Sequence, residues 1–197
     1  MDGDVMKSNL NLKYCILPAA NPAPKHVDSH NKAFSFWFDS LKDAFAETGN
    51  DPSSLIDDFI RQDLATVIFA GDEAVASLLL SFYSIDSLVA RKFRYLGDTY
   101  PEIYFEKLKK HGVHSVMSMQ YLTVHPNWRK SKCEFHFAPT IFALAQNIQR
   151  AFGVDAIISC VRRDNKVNEL VYSLGGECII ANVDNQDRKS TRLNSSH

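Results

Sequence analysis

Tyr172 combines a proton-carrying side chain with a position that core packing does not explain. The apolar residues around it recur at helical spacing and form one stripe: Val167, Leu170, Val171 and Leu174. At about 100° per residue, Tyr172 lies roughly 150° from the centre of that stripe, on the side shared with Asn165 and Asn168. A phenol in this position is a candidate general acid, and simple exposure to solvent is the alternative.

A basic loop follows the longest strand pattern of the chain. The strand pattern covers Val113 to Val124, His125-Pro126 ends it, and Arg129, Lys130 and Lys132 come next, before a helix pattern. A strand that leads through a loop to a helix N-terminus offers unpaired amides and a positive dipole end to phosphates. The sequence therefore predicts a pyrophosphate site here, and an ordinary basic surface loop is the alternative.

The histidines favour structural roles. His26 and His30 are four residues apart, but Pro22 and Pro24 place them in a loop, so no metal pair on a helix is expected. His111 and His114 flank the end of a predicted helix, where a histidine often complements the dipole. Because His114 also begins the long strand, it is retained as a candidate base.

Composition and charge exclude several classes of protein. The 197 residues suit one globular domain, with 45% hydrophobic and 23% charged residues. A net charge of −1 without a basic stripe disfavours nucleic-acid binding. Neither a signal peptide nor a membrane span is apparent, since the longest apolar stretch, Val75 to Tyr83, is too short.

The four cysteines lie far apart, which favours free thiols in a reducing cytoplasm over a zinc or redox motif: Cys15, Cys133, Cys160 and Cys178. Cys133 stands close to two lysines, but no histidine partner for a thiol mechanism is identifiable. We therefore expect a cytoplasmic protein that binds no metal, no nucleic acid and no membrane.

Strand and helix patterns succeed one another in an order that indicates fold class. Strands are predicted near Leu12–Leu17, Ala65–Ala70, Ala74–Phe82, Val113–Val124, Val154–Val161 and Glu177–Val183. Helices are predicted at Asn31–Glu47, after Asp51-Pro52, from a Thr99–Glu102 capping box, over Ile141–Phe152 and over Lys166–Leu174. Antiparallel strands first and alternating elements later predict an α/β (α+β) domain, with a mixed sheet and helices on both faces.

This order and two local patterns resemble the GNAT superfamily of N-acetyltransferases and N-acyltransferases, over Leu12 to Val183. The first pattern is Leu122-Thr123-Val124-His125-Pro126-Asn127-Trp128-Arg129. The second, more specific one is Asp164-Asn165 followed by Leu170-Val171-Tyr172-Ser173-Leu174-Gly175-Gly176. The resemblance implies a GNAT-like, mostly antiparallel sheet and a bacterial acyltransferase.

The resemblance also implies roles for particular residues. Backbone groups of Leu122 and Val124 would hold the pantetheine arm of coenzyme A, and Asn165 would lie beside it. Tyr172 would protonate the leaving thiolate. The pyrophosphate would bind the loop formed by Arg129, Lys130, Ser131, Lys132, Cys133 and Glu134.

That loop departs from the family pattern. Lys132 and Glu134 stand where the family has glycines, which let a phosphate approach the backbone closely, and Glu134 adds a repelling charge. Pro139 removes one amide from the first turn of the following helix.

The favoured function is transfer of an acetyl or other acyl group from acyl-CoA, as co-substrate, to a primary amine of a small molecule or peptide. The helices up to Arg61 would form the wall of the acceptor site. One alternative uses an acyl carrier protein as donor, and a second is a non-catalytic domain that binds a ligand or partner. A homodimer stays open.

The last residues differ in character from the rest. Residues 187–197 are polar, without an apolar period, and resemble translated sequencing adaptor. In the family a seventh strand follows the one predicted at Glu177–Val183. We therefore expect residues 1–186 to be a single GNAT-like domain that lacks its last strand, and 187–197 to be a non-native tail; a disordered native tail is the alternative.

Overall fold

The computed structural model describes residues 11–47, 49, 51–129, 133–162, 166–185 and 188–196, without the side chains of residues 94, 162 and 182–196. Four predicted site residues lie outside the described residues: Lys130, Ser131, Lys132 and Asn165.

Within the described residues, the strands are β1 Leu12–Pro18, β2 Leu64–Ala70, β3 Glu73–Ser84, β4 Ser115–Val124, β5 Ala156–Arg162, β6 Gly176–Asn185 and β7 Arg188–Ser196. The helices are α1 Val27–Glu47, α2 Ser54–Ile60, α3 Leu88–Lys92, α4 Arg94–Thr99, α5 Glu102–Lys110, α6 Phe137–Phe152 and α7 Val167–Ser173. Two short 3₁₀ turns lie at Pro24–His26 and Pro126–Trp128.

The strands form one sheet in the order β1-β2-β3-β4-β5-β7-β6. Every neighbouring pair is antiparallel except β4 and β5, which are parallel. A parallel pair needs a long crossover, and α6 supplies it. The predicted mixed, mostly antiparallel sheet is therefore confirmed, and its one parallel pair lies in the middle.

Helices cover both faces of the sheet. One face packs on α6 and α7, through a core that includes Leu80, Met119 and Ile141. The opposite face carries three separate clusters of buried residues, one of them between α1 and strands β1 to β3. Trp37 and Phe59 of α1 and α2 pack over β2 and β3, whereas α3, α4 and α5 pack over β4 and β5. The aromatic residues of α1 thus fill a core, as the helical spacing predicts.

Two helix boundaries differ from the sequence patterns. The Thr99–Glu102 capping box does not form, because Thr99 ends α4 and Pro101 caps α5 without a side-chain bond. The Glu102 carboxylate instead accepts a hydrogen bond from Arg91 at 2.7 Å. At α2 the helix begins at Ser54, and Asp51 accepts bonds from the amide and hydroxyl of Ser53, which lower its pKa.

The polar segment near the end of the chain forms a strand. β7 lies between β5 and β6 and pairs with both. We expected no strand here because the segment has no apolar alternation. Backbone hydrogen bonding between two strands does not require it, since every non-proline residue carries a donor and an acceptor. The non-native origin of residues 187–197 stays a prediction.

Candidate functional site

The parallel strands β4 and β5 are paired over only part of their length. Val116, Met117 and Ser118 pair with Ala156, Ile157 and Ile158, and no later residue of β4 pairs with β5 within the described residues. One side-chain bond spans the start of the gap, from Ser159 Oγ to the Met119 carbonyl, at 3.0 Å. We call the gap beyond Ser118 and Ile158 the open end of the strand pair.

A β-bulge shapes the open end. The register of β4 against β3 shifts between Ser77 and Leu79, which face Thr123 and Gln120, so two β4 residues lie opposite one β3 residue. Tyr121 at this bulge has a φ of 54°, a left-handed conformation that is uncommon for a tyrosine. No glycine or asparagine marks the position, so the sequence gives no signal for it.

Leu122 and Val124 follow the bulge, and their side chains pack on the α6 core. This agrees with the expectation that only their backbone groups face a ligand. The Val124 carbonyl, however, already accepts a bond from Arg129 Nε at 3.3 Å. The Arg129 side chain thus turns back toward the end of β4, and one nitrogen of its guanidinium is already used in a hydrogen bond.

The loop after β4 leads to the N-terminus of α6. The Cys133 amide donates to the Arg129 carbonyl at 3.1 Å, Cys133 is half-buried against the α6 core and Glu134 is exposed. His136 caps α6 without a side-chain bond, and no acidic residue lies in the first turn. The first-turn amides of Phe137 and Ala138 have no partner within the helix, and Pro139 has no N–H. This end therefore suits an anion, with one donor fewer than usual.

Tyr172 lies on the outer side of α7, as the helical spacing predicts. Its side chain is 45% exposed, whereas the neighbouring Val171 is buried. One helical turn earlier, Asn168 Oδ1 is buried and has no hydrogen-bond partner in the described structure. Tyr172 and Asn168 thus offer a phenol and an unused acceptor on one helix.

A strip of polar side chains crosses the sheet on the face opposite α6, between the cluster under α1 and α2 and the cluster under α3, α4 and α5. Ser81 and Ser118 are fully buried there and lie opposite each other on β3 and β4. Gln62 Oε1 accepts from Ser81 Oγ at 2.7 Å and from Gln120 Nε2 at 3.1 Å, and Gln120 Nε2 also donates to Ser118 Oγ at 2.9 Å. Burying polar groups costs free energy unless they are hydrogen-bonded, and these groups form a connected network.

Tyr83 completes the polar strip. Burial raises the pKa of its hydroxyl, hydrogen bonds with Ser81 and Ser118 offset part of the rise, and Asp63 and Arg61 are close enough to act on it by charge. The sequence carried a signal for this strip, since Ser118 and Gln120 alternate with Met117 and Met119.

A groove of about 600 Å³ lies farther out, between α1, the β2–β3 turn and the loop after β4. Its lining has mixed charge: Lys32, Arg129, Asp39, Asp72 and Glu73. His125 Nδ1 accepts from the Asn127 amide at 3.3 Å, which leaves Nε2 facing Glu73 at 3.8 Å. Of the predicted site residues that the structure describes, only Arg129 lines this groove.

His114 lies at the other end of β4 from the gap. It precedes the strand, and its Nδ1 lies 2.8 Å from Asp86. Tyr121 is seven residue steps farther along the strand, which at about 3.3 Å per step is roughly 23 Å. This distance is inconsistent with His114 as the base for chemistry at the open end.

Solved structures share this architecture over almost the whole chain. An N-acyl amino acid synthase, FeeM, from uncultured soil microbes superposes with a TM-score of 0.59, at 10% identity, over 94% of this chain and 91% of that one. An agmatine N-acetyltransferase variant in its apo form gives 0.61, at 12% identity, over 92% and 97%. The PaiA N-acetyltransferase from Thermoplasma acidophilum, in complex with coenzyme A, gives 0.56, at 11% identity, over 94% and 99%.

The chain has the GNAT fold. No family sequence model matches it, and no curated protein sequence is significantly similar. The GNAT architecture is thus established by backbone geometry at identities where sequence similarity shows little.

The described residues of the GNAT chain contain no group of three or more histidine, cysteine, aspartate or glutamate side chains that could hold a metal ion. In the same residues, no helix is long and apolar enough to cross a membrane.

Proposed function

We propose that the chain is an N-acyltransferase that moves an acyl group from acyl-CoA to a primary amine. The observation that carries the proposal is the early parting of β4 and β5 after Ser118 and Ile158, beside the N-terminus of α6. Backbone N–H and C=O groups of a central strand that lack strand partners cost free energy unless a ligand or water forms hydrogen bonds with them. An extended thioester arm fits such a gap.

Each part of the donor would then meet a different part of the chain. The backbone of Leu122 and Val124 holds the pantetheine arm, in a position where strand amides polarise the thioester carbonyl. The Arg129–Glu134 loop and the first turn of α6 hold the pyrophosphate through basic side chains and amides. Arg129 Nε already donates to the Val124 carbonyl. Arg129 would therefore bind phosphate either after this bond breaks or through its other two guanidinium nitrogens.

Tyr172 serves as the general acid. The amine nitrogen attacks the thioester carbonyl carbon, the C–S bond breaks, and the hydroxyl donates its proton to the departing sulfur. Phenols keep their proton at neutral pH and thiolates accept one readily. The exposure of Tyr172 on the outer side of α7 supports this role, because a core tyrosine would have no access to a ligand.

A carrier-protein thioester is the second candidate donor. The exposed Glu134 and the missing amide at Pro139 both weaken an anion site, while a protein-bound arm would need the gap and less of the phosphate loop. In that case the chain would transfer the same acyl group to the same amine.

Calorimetry with acetyl-CoA, a longer acyl-CoA and an acyl carrier protein loaded with the same acyl group tests the donor. We expect acyl-CoA to bind with clear heat and to release free thiol when an amine is added. If the loaded carrier protein binds and acyl-CoA does not, the carrier protein is the donor. Binding of neither, with no thiol released, would contradict the acyltransferase function.

A further inference from the structure

The polar strip opens at the C-terminal end of α2, where three side chains from two elements meet. Tyr121 donates a hydrogen bond from its hydroxyl to Asp58 Oδ2 at 2.7 Å. Arg61 binds the other oxygen of the same carboxylate. Both charged side chains reach solvent, with 40% of Arg61 and 23% of Asp58 exposed. We call Asp58, Arg61 and Tyr121 the α2 cluster.

Tyr121 reaches this cluster because the β4 bulge turns its side chain to the same face of the sheet as that of Gln120. Gln120 and Tyr121 are consecutive in a strand, yet Gln120 belongs to the polar strip and the ring of Tyr121 meets Trp37 edge-on at 5.5 Å, on the same face. In a regular strand, consecutive side chains point to opposite faces. The left-handed φ of Tyr121 costs conformational energy and accompanies the placement of its hydroxyl beside α2.

An ion pair three residues apart on a helix surface is ordinarily worth little. The α2 cluster differs because a third group, from the strand that lines the open end, holds the same carboxylate. Tyr121 precedes Leu122, whose backbone we assign to the thioester arm, so the cluster adjoins the reacting end of the donor.

The charges of the α2 cluster indicate which class of acceptor would bind there. Asp58 is negative, Arg61 is positive, and the strip behind them is neutral: Ser81, Tyr83, Ser118 and Gln120. A simple amine would use only the Asp58 carboxylate and would be repelled by Arg61. A molecule with an ammonium and a carboxylate a few ångströms apart would use both signs of charge.

We propose that the α2 cluster is the acceptor site and that the acceptor is an amino acid, whose amino group meets Asp58 and Tyr121 and whose carboxylate meets Arg61. This rests on the proposed acyl transfer and names its acceptor class. Asp58 takes one proton from the ammonium, the nitrogen bonds to the thioester carbonyl carbon, and the C–S bond breaks. The thiolate gains a proton from Tyr172, and the second proton that the nitrogen loses as the amide forms restores Tyr172. The proton on Asp58 leaves to solvent, so one proton is released per turnover.

Pairs of acceptors that differ only in the carboxylate test the proposal: phenylalanine and phenethylamine, ornithine and putrescine, arginine and agmatine. Thiol release from the acyl donor is followed with each. We expect the wild-type chain to have the higher kcat/KM for the amino acid in each pair that it uses. Arg61→Gln should lower kcat/KM for that amino acid by roughly 10- to 100-fold. The kcat/KM for its amine partner should stay the same or rise, because the repelling charge is removed.

The ratio within one pair, measured on one preparation, does not depend on the fraction of folded chain. Arg61→Lys should recover part of the preference, since it keeps the charge and loses the forked geometry. Lys42→Gln breaks the corresponding pair with Asp39 on α1 and should leave the ratio unchanged.

Equal use of both members of every pair by the wild type, or an equal loss for both in Arg61→Gln, would overturn the acceptor proposal and leave acyl transfer intact. If no acceptor releases thiol and no acyl donor binds, the proposed function falls and this proposal falls with it.

Discussion

The two ends of the β4–β5 pair are built in opposite ways. At the start of the pair, Asp155 Oδ2 accepts bonds from the amides of His114 and Ser115, at 2.9 and 2.8 Å, and from Ser115 Oγ at 2.9 Å. The Asp155 amide in turn donates to Ser115 Oγ at 3.1 Å. At the far end, a bulge and a single bond from Ser159 replace this mutual pairing.

The difference shows how one pair of strands can be held firmly at one end and offer backbone groups to a ligand at the other. Where the strands are paired, their backbone groups form hydrogen bonds with each other and are not available to a ligand. Where they part, backbone groups become available, and the clamp at the other end fixes the direction in which they point. Preorganised groups of this kind are worth more to catalysis than groups that must reorganise on binding.

The largest expected effect is on Tyr172, the proposed general acid on α7. Tyr172→Phe removes only the hydroxyl, so kcat should fall by about 10²- to 10⁴-fold while affinity for the acyl donor changes little. Steady-state kinetics and donor calorimetry measure the two effects. Tyr14→Phe, on β1 at the far edge of the sheet, is the matched control. A folded Tyr172→Phe enzyme with the wild-type rate, where chemistry limits, would make Tyr172 a structural residue.

A smaller loss is expected in the loop after the open end. Lys130→Ala combined with Lys132→Ala should weaken coenzyme A binding by about 1 to 3 kcal/mol, because charge-assisted bonds to phosphate are lost. A dephosphorylated pantetheine analogue should bind the variant and the wild type almost equally. Equal weakening of both ligands, measured by calorimetry, would show that the loop does not meet phosphate.

The smallest effect is expected at the clamped end. Bonds from His114 and Ser115 lower the pKa of Asp155, so its contribution to stability is present above the ordinary aspartate pKa of about 4 and is lost as the pH falls through the lowered value. Asp155→Asn should cost about 1 kcal/mol at pH 7, since these bonds are charge-assisted but exposed to solvent.

Thermal unfolding would show this as a Tm lower by roughly 2 to 4 °C at pH 7, with the difference shrinking toward pH 3. Asp43→Asn, at an exposed site on α1, serves as control. An undiminished difference at pH 3 would mean that the charge of Asp155 does not act through these bonds.

Much of the fold could be predicted from sequence because hydrophobic spacing determines which side of each element is buried. The stripe on α7 placed Val171 inside and Tyr172 outside, and both positions are confirmed. The order of strands and helices gave the mixed sheet with two covered faces.

The predictions that failed depended on local details that spacing does not determine. Thr99 and Glu102 have the spacing of a capping box, but Thr99 is the last residue of one helix and Pro101 caps the next. His114 begins the long strand, and only the three-dimensional structure shows that the opposite end of that strand parts from its neighbour.

The site could be predicted only in part, for a related reason. The phosphate loop and Tyr172 carry local patterns, whereas the α2 cluster joins Asp58 and Tyr121, which are 63 positions apart. A tyrosine in a left-handed bulge has no sequence signature, so its meeting with α2 appears only in the structure.

Hydrogen–deuterium exchange with and without acyl-CoA tests the central claim most directly, because it reads the backbone amides of both ends at once. The open end should gain protection in peptides covering Met119 to Arg129 and the first turn of α6, while peptides at the Asp155 clamp stay unchanged. Protection confined to the groove beside α1, or equal at both ends of β4, would contradict the claim that the parting of β4 from β5 receives the acyl donor.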